Sequence, residues 1–225
     1  MVKFERPDSS EAHVAIESLK REKRKGSGKY NTNEVNKALG LMFAHKCYLC
    51  DKKDLDNLQI EHLVPHRGNR DLMFDWENLF LSCNHCNNIK NDKFTPILDC
   101  TKVAVDKKIA FRRHSEPFMP DKLEITALED DVETRNTVAL LNEVYYGSTA
   151  QKIEEAKIIR KQLSKELNAF EECVTDYNAA DGEDKKDLEL SIMMKLKWNA
   201  PFAAFKRWMI RDASDKFPEL LKYCQ

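Results

Sequence analysis

The sequence predicts an α+β fold that is mostly α, in which a small strand-containing module lies between two helical regions. Glycine and proline are scarce, with 6 and 7 among 225 residues, so few positions interrupt a helix. Apolar residues recur at helical spacing near both ends of the chain, whereas short apolar runs in the middle suit strands. A hydrophobic content of 42% excludes a disordered chain and leaves enough apolar side chains for a buried core.

Residues 1–46 are predicted to form a helical lead-in. The serine pair at 9–10 can cap a first helix that continues to about Lys25, where the Gly-Ser-Gly sequence at 26–28 ends it. Thr32 or Asn33 can cap a second helix, which delivers the chain to the first cysteine.

Residues 47–113 are predicted to form a ββα module. Residues 58–64 and 79–81 suit two strands, and residues 86 to about 94 contain no helix breaker. The order strand, loop, strand, helix is that of a ββα unit. Residues 107–113 suit a further short strand.

Residues 114–225 are predicted to be mainly helical and to offer a docking surface for a partner. The boundary with the front module is expected within 114–130, and residues 123–128 suit a strand. The predicted helices cover residues 131–145, 149–178 and 184–212, and a last short turn covers 215–222.

Four aromatic residues crowd near the C-terminus: Trp198, Phe202, Phe205 and Trp208. Aromatic side chains dominate binding hot spots, so these residues are candidates for an exposed anchor. The alternative is that they pack inside a helical core, as apolar faces at this spacing commonly do.

Charge is uneven although the formal net charge is only -1. Residues 20–29 carry six basic residues and one acidic residue. This stretch is either a solvated helix face or a guide for nucleic acid. No apolar run approaches the roughly 20 residues of a membrane helix, and no secretory leader is visible, so we expect a cytoplasmic location and no membrane partner.

Two C-x2-C pairs, Cys47–Cys50 and Cys83–Cys86, predict a structural zinc site. Cytosolic thiols stay reduced, so disulfides do not explain the pairs. Two such pairs complete the tetrahedron that zinc prefers and leave no open position. Buried free cysteines and a zinc ribbon used only for contacts are the alternatives, and His85 is a weaker candidate ligand.

The strings EHLVP, WENL and CNHCNNIK, within residues 61–90, resemble the HNH endonuclease family. The resemblance implies a ββα fold that holds one divalent cation against the scissile phosphate. It implies that His62 is the general base, that Glu61 and Asn87 are catalytic metal ligands, and that Asn78 orders the loop supporting His62. Because Asn87 stands where the family often has histidine, Mg²⁺ or Mn²⁺ is the expected cation.

Cleavage of a phosphodiester also requires contacts to phosphate. The candidates beside the predicted site are Lys90, His66, Arg67 and Arg70. A standalone restriction or homing nuclease, and a non-catalytic zinc module that binds nucleic acid, are the competing functions.

A narrower resemblance extends over roughly residues 30–165. The strings YNTNEVNKALGLMFAHKCYLC, FDWENLFLSCNHCNNIKNDKF and ETRNTVALLNEVYYG, with ILD at 97–99, resemble the small HNH subunits of Septu-type and certain retron-linked anti-phage systems. This resemblance implies a bacterial defence role and an ABC-type ATPase partner. In retron-linked systems it also implies a reverse transcriptase and its RNA–DNA product.

Overall fold

The computed structural model describes residues 1–53 and 58–224. It is mostly helical, at 54%, with two small two-stranded sheets, which confirms the predicted fold class. The helices are α1 (Ser10–Lys23), α2 (Asn33–Met42), α3 (Arg70–Met73), α4 (Asn84–Lys90), α5 (Val105–Lys108), α6 (Val132–Tyr146), α7 (Ala150–Ala179), α8 (Gly182–Leu196) and α9 (Ala203–Asp212). The strands are β1 (Leu58–His62), β2 (Leu79–Cys83), β3 (Ile109–His114) and β4 (Lys122–Ala127), and short 3-10 turns cover Trp76–Asn78 and Pro218–Tyr223.

The N-terminal helices begin at side-chain caps. Ser9 Oγ accepts a hydrogen bond from the Ala12 amide at 3.2 Å, and Thr32 Oγ1 accepts one from the Val35 amide at 3.4 Å. These bonds satisfy amides that the first helical turn leaves without partners. The hydroxyls of Ser18 and Thr32 lie 3.0 Å apart and join α1 to the start of α2.

The two hairpins are antiparallel. In the first, Glu61 lies opposite Phe80 and His62 opposite Leu79, and α4 follows β2 directly, so the ββα order is present. In the second, β3 pairs with β4 from Ile109–Ala127 to His114–Lys122. The predicted boundary after residue 113 would therefore divide this hairpin.

The predicted helix over residues 184–212 is two helices, α8 and α9. Lys197 adopts an extended ψ of 153° and ends α8, and Pro201, which cannot donate a backbone hydrogen bond and disfavours helix in the residue before it, keeps the helix from resuming there. Phe202 then adopts a left-handed φ of 51°, and α9 begins at the next residue. Among the described residues, none of the helices is long and apolar enough to cross a membrane.

The main hydrophobic core includes side chains from all three predicted regions, from Met1 to Phe205. Phe202 and Phe205 are 2% and 1% exposed, so the hypothesis that they form an exposed anchor is wrong. Trp208 is half-buried and its indole donates to the Asp106 carbonyl at 2.9 Å, whereas Trp198 remains 41% exposed. The aromatic cluster is thus chiefly a packing element.

The first cysteine pair is fastened to the helical rear of the molecule. The buried ammonium of Lys46 donates to the carbonyls of Trp198 and Ala200 at 2.6 and 2.7 Å. The Tyr145 hydroxyl donates to the Cys50 carbonyl at 3.0 Å, and the Phe202 amide donates to the Asp51 carbonyl at 3.1 Å. The cysteine-rich module and the C-terminal helices consequently support each other.

Candidate active site

The four cysteines converge as the sequence predicts. Their sulfur atoms all lie within 4.8 Å of one another, and all four side chains are buried. Cys50 and Cys83 sulfurs are 3.9 Å apart. Zinc–sulfur bonds of about 2.3 Å in a tetrahedron place sulfurs about 3.8 Å apart, so the cluster fits a structural zinc ion. Hydrogen bonds from the neighbouring thiols lower the pKa of Cys83, whereas thiol hydrogen bonds raise the pKa of Cys50 and burial raises that of Cys86, so the case for zinc rests on the sulfur geometry.

His85 lies inside the second cysteine pair, but its ring nitrogens bind other residues. Its Nε2 contacts the Val144 carbonyl at 2.9 Å and its Nδ1 contacts Glu155 at 2.6 Å. Since both ring nitrogens are engaged, His85 links the cysteine module to α6 and α7 rather than contributing a ligand.

His62 ends β1, and its ring has a fixed orientation. Nε2 lies 3.0 Å from the Met73 carbonyl, and because a carbonyl only accepts, Nε2 must carry the proton. Nδ1 is then the basic nitrogen of the neutral ring, and it has no hydrogen-bond partner among the described residues. Burial lowers the pKa of His62, which favours the neutral form. The ring is thus prepared to accept a proton at Nδ1.

Asn78 forms hydrogen bonds that hold the loop containing Met73, whose carbonyl accepts a hydrogen bond from His62. Its side-chain oxygen accepts from the Val64 amide at 2.8 Å. Its amide nitrogen donates to the carbonyls of Val64 and Leu72 at 2.9 and 3.0 Å. Leu72 immediately precedes Met73, so Asn78 fixes the carbonyl to which His62 donates.

A surface cleft of about 350 Å³, termed the His62 cleft, brings five of the predicted site residues together. They are Glu61, His62, His66, Arg67 and Asn87. Asn78 and Lys90 do not line it. A larger cavity of about 810 Å³ lies elsewhere, beside the N-terminal segment, and contains none of these residues.

Glu61 and Lys90 form a buried ion pair behind the cleft. Lys90 is 0% exposed, and its ammonium contacts Glu61 Oε1 and donates to the His62 carbonyl at 2.8 Å. The other carboxylate oxygen accepts from the Tyr48 hydroxyl at 2.7 Å. The prediction that Lys90 contacts phosphate is therefore wrong. Glu61 has both oxygens engaged, so the predicted direct metal ligation is not set up in this structure.

The remaining predicted contacts divide into two kinds. Arg70 donates to the backbone carbonyls of Lys23 and Lys25, the latter at 2.7 Å, so it fastens the end of α1 instead of being free for phosphate. Arg67 has a 72% exposed side chain, with Asp92 at 3.4 Å, and is accessible. His66 accepts from the Gly68 amide through Nδ1 at 3.1 Å, which leaves Nε2–H as a donor.

Asn87 lies on α4 and faces the His62 cleft. Its amide nitrogen donates to Gln59 Oε1 at 2.8 Å, so its amide oxygen is free to face a cation.

Residues 47–93 match the family model described as HNH endonuclease. This segment contains both cysteine pairs, His62, Asn78 and Asn87. Searches of curated proteins and of solved structures found no match to the chain. The family is one of nucleases, so the match suggests nuclease activity in general.

The HNH segment also contains a carboxylate that the sequence reading missed. Asp92 follows the end of α4, where Asn91 adopts a φ of 42° and turns the chain back, and both residues line the cleft. Nothing in the sequence distinguishes Asp92 from an ordinary surface residue. The positive φ of Asn91 that brings Asp92 to the cleft is visible only in the structure.

The oxygen donors of the cleft partly fit a hard cation. Within residues 1–53 and 58–224, the four cysteines are the only group of three or more His, Cys, Asp or Glu side chains close enough to share an ion. Mg²⁺ uses one or two carboxylates and otherwise keeps waters and substrate phosphate oxygens. Asn87 with Asp92, or with Glu61 after its ion pair opens, would supply a site of that kind.

Proposed function

We propose that this protein is a metal-dependent HNH endonuclease that hydrolyses phosphodiester bonds in nucleic acid. The observation that carries the proposal is the ring of His62, which is held through Nε2 and whose Nδ1 has no partner within residues 1–53 and 58–224, in a cleft that also contains the Asn87 amide. A structural histidine in a core would be expected to have both nitrogens satisfied, as His85 does.

The proposed reaction assigns each polar residue a task. His62 takes a proton from the attacking water at Nδ1, while the Met73 carbonyl, braced by Asn78, holds the ring. His66 Nε2–H and the Arg67 guanidinium contact the phosphate. Asn87, with Asp92 or Glu61, would hold Mg²⁺ or Mn²⁺. The bound cation would stabilise negative charge on the phosphate and the leaving oxygen.

The cysteine cluster has a structural task in this proposal. Four thiolate ligands leave no position for substrate, so a zinc ion there would fix the two cysteine pairs and the hairpin between them. The His62 cleft is then built on a scaffold that zinc holds together.

We further propose that the protein acts in the bacterial cytoplasm as the effector of an anti-phage defence complex. The support is the resemblance of its sequence strings to the small HNH subunits of Septu-type and retron-linked systems. An ABC-type ATPase is the proposed partner, and a reverse transcriptase with its RNA–DNA product joins it in the retron-linked version. Leu190 and Met194, one turn apart on α8, are 55% and 49% exposed, and we propose that they contribute to the docking surface.

The test is a cleavage assay with purified protein and Mg²⁺ or Mn²⁺, in the presence and absence of the co-expressed ATPase. We expect His62→Ala to abolish cleavage while zinc content and folding are retained. Cleavage only in the complex supports the effector role, whereas full activity without the ATPase supports the standalone nuclease. Unchanged cleavage by His62→Ala, or nucleic-acid binding without cleavage by the wild type under every condition, would contradict the proposed mechanism.

A further inference from the structure

Residues 23–29, termed the basic turn, lie outside the segment that matches the HNH family and directly precede Tyr30, which lines the His62 cleft. Arg70 donates to the carbonyls of Lys23 and Lys25, and the Lys23 ammonium lies 2.5 Å from Asp71. These contacts fasten the turn to the loop between β1 and β2.

The chain that leaves the basic turn enters the cleft itself. Tyr30 lines the cleft, with its ring centroid 4.6 Å from that of His62 in an edge-on arrangement and 6.4 Å from that of His66. The basic turn is therefore continuous with the residues that face the proposed reaction.

Close backbone contacts give the basic turn a defined conformation. A Cβ at Gly28 would lie 1.9 Å from the Glu22 carbonyl oxygen, so only glycine permits this close approach. The Glu22 carboxylate accepts from the Lys29 amide at 3.2 Å, and the Glu22 carbonyl accepts from the Lys25 amide at 3.1 Å. By contrast, a Cβ at Gly26 would meet nothing within 4 Å.

The charges of the basic turn are only partly neutralised. Lys25 pairs with Glu22, and Lys23 pairs with Asp71. Arg24 and Lys29 are exposed and form no ion pair within the described part of the chain. Two unpaired cations thus lie on a turn that Arg70 holds against the loop between β1 and β2 and that leads directly to Tyr30 in the cleft.

We propose that the basic turn binds the sugar–phosphate backbone of the nucleic acid beyond the scissile phosphate, through Arg24 and Lys29. This inference rests on the proposed nuclease function and extends its substrate-binding surface to a segment outside the HNH module. In this proposal the cationic side chains contact phosphate groups and not the base edges. Binding by the turn is therefore independent of the nucleotide sequence.

The test measures binding without cleavage. In a His62→Ala background, the affinity for a short labelled duplex DNA is measured by fluorescence anisotropy between about 50 and about 200 mM salt, beside single-stranded DNA and RNA probes. Replacing Arg24 and Lys29 by glutamine should weaken binding and lower the salt slope by about 1.8 for a duplex, since each phosphate contact contributes about 0.9. The matched control replaces Lys165 and Lys216, two exposed lysines that form no ion pair with any residue the structure describes, and should leave the slope unchanged.

Glycine variants test whether the shape of the turn matters. Gly28→Ala should weaken probe binding because the turn must shift, whereas Gly26→Ala should bind as its parent does. An unchanged slope in the Arg24/Lys29 double variant, an equal loss in the lysine control, or no binding of any probe by the parent would overturn the inference. A protein that binds through the turn and never cleaves would refute the proposed function alone, so the two failures are distinguishable.

Discussion

Replacing Lys90 by methionine removes a buried charge while keeping most of the length of the side chain. Lys90 and Glu61 are 0% and 5% exposed, so the change leaves the Glu61 carboxylate buried with only the Tyr48 hydroxyl as a partner. Breaking a buried ion pair in this way costs about 3–5 kcal/mol. For a chain of this length each kcal/mol lowers Tm by about 2–4 °C, so we expect a decrease of about 6–20 °C.

The assay is thermal and urea unfolding of the wild type and three variants. Lys93→Met, which removes an exposed lysine three residues further along, should stay within about 0.5 kcal/mol of the wild type. The double variant Glu61→Gln/Lys90→Met should regain part of the loss, because no uncompensated charge remains. If Lys90→Met unfolds at the same temperature and urea concentration as the wild type but binds nucleic acid more weakly, the ion-pair reasoning is refuted. That result would favour the original prediction that Lys90 contacts phosphate.

Three other changes should separate the roles of the buried residues. Cys47→Ser should abolish zinc binding and unfold the module, since zinc supplies roughly 10–16 kcal/mol in small zinc peptides. The control Cys100→Ser should retain zinc. Metal analysis measures the zinc content of both variants, and circular dichroism measures their folding. Asn78→Ala should lower kcat about 100-fold with little change in KM, because the loop that holds His62 shifts; a proportional rise in KM would contradict this. Phe205→Ala should cost about 3–5 kcal/mol of unfolding free energy, whereas Phe118→Ala, at a fully exposed site, should cost almost nothing.

Much of the fold could be predicted because its signals are local. Side-chain caps at Ser9 and Thr32 and the spacing of apolar residues mark where α1 and α2 begin, and the two cysteine pairs mark the metal cluster. The break before α9 was missed although Pro201 signals it, because the apolar spacing continues across the proline. The burial of Phe202 and Phe205 depends on contacts with distant segments, which periodicity alone cannot reveal.

The candidate site was predictable as a set of residues, but the partners of each side chain were not. The resemblance to the HNH family implied that His62, Asn87 and Glu61 lie near each other, and they do line one cleft. It did not indicate that Lys90 would turn inward to Glu61, because the same helical position suits a solvated lysine. Nor did it indicate that Tyr30, which is 32 positions before His62, would pack against that ring.

The central claim is that an imidazole at residue 62 activates the water that splits a phosphodiester bond. The most direct measurement maps nucleic-acid ends in cells that carry the neighbouring genes and express the wild type, His62→Ala or His13→Ala, the last changing an exposed histidine on α1. We predict new ends with the wild type and with His13→Ala, and none with His62→Ala. Equal numbers of ends with His62→Ala and with the wild type would contradict the claim.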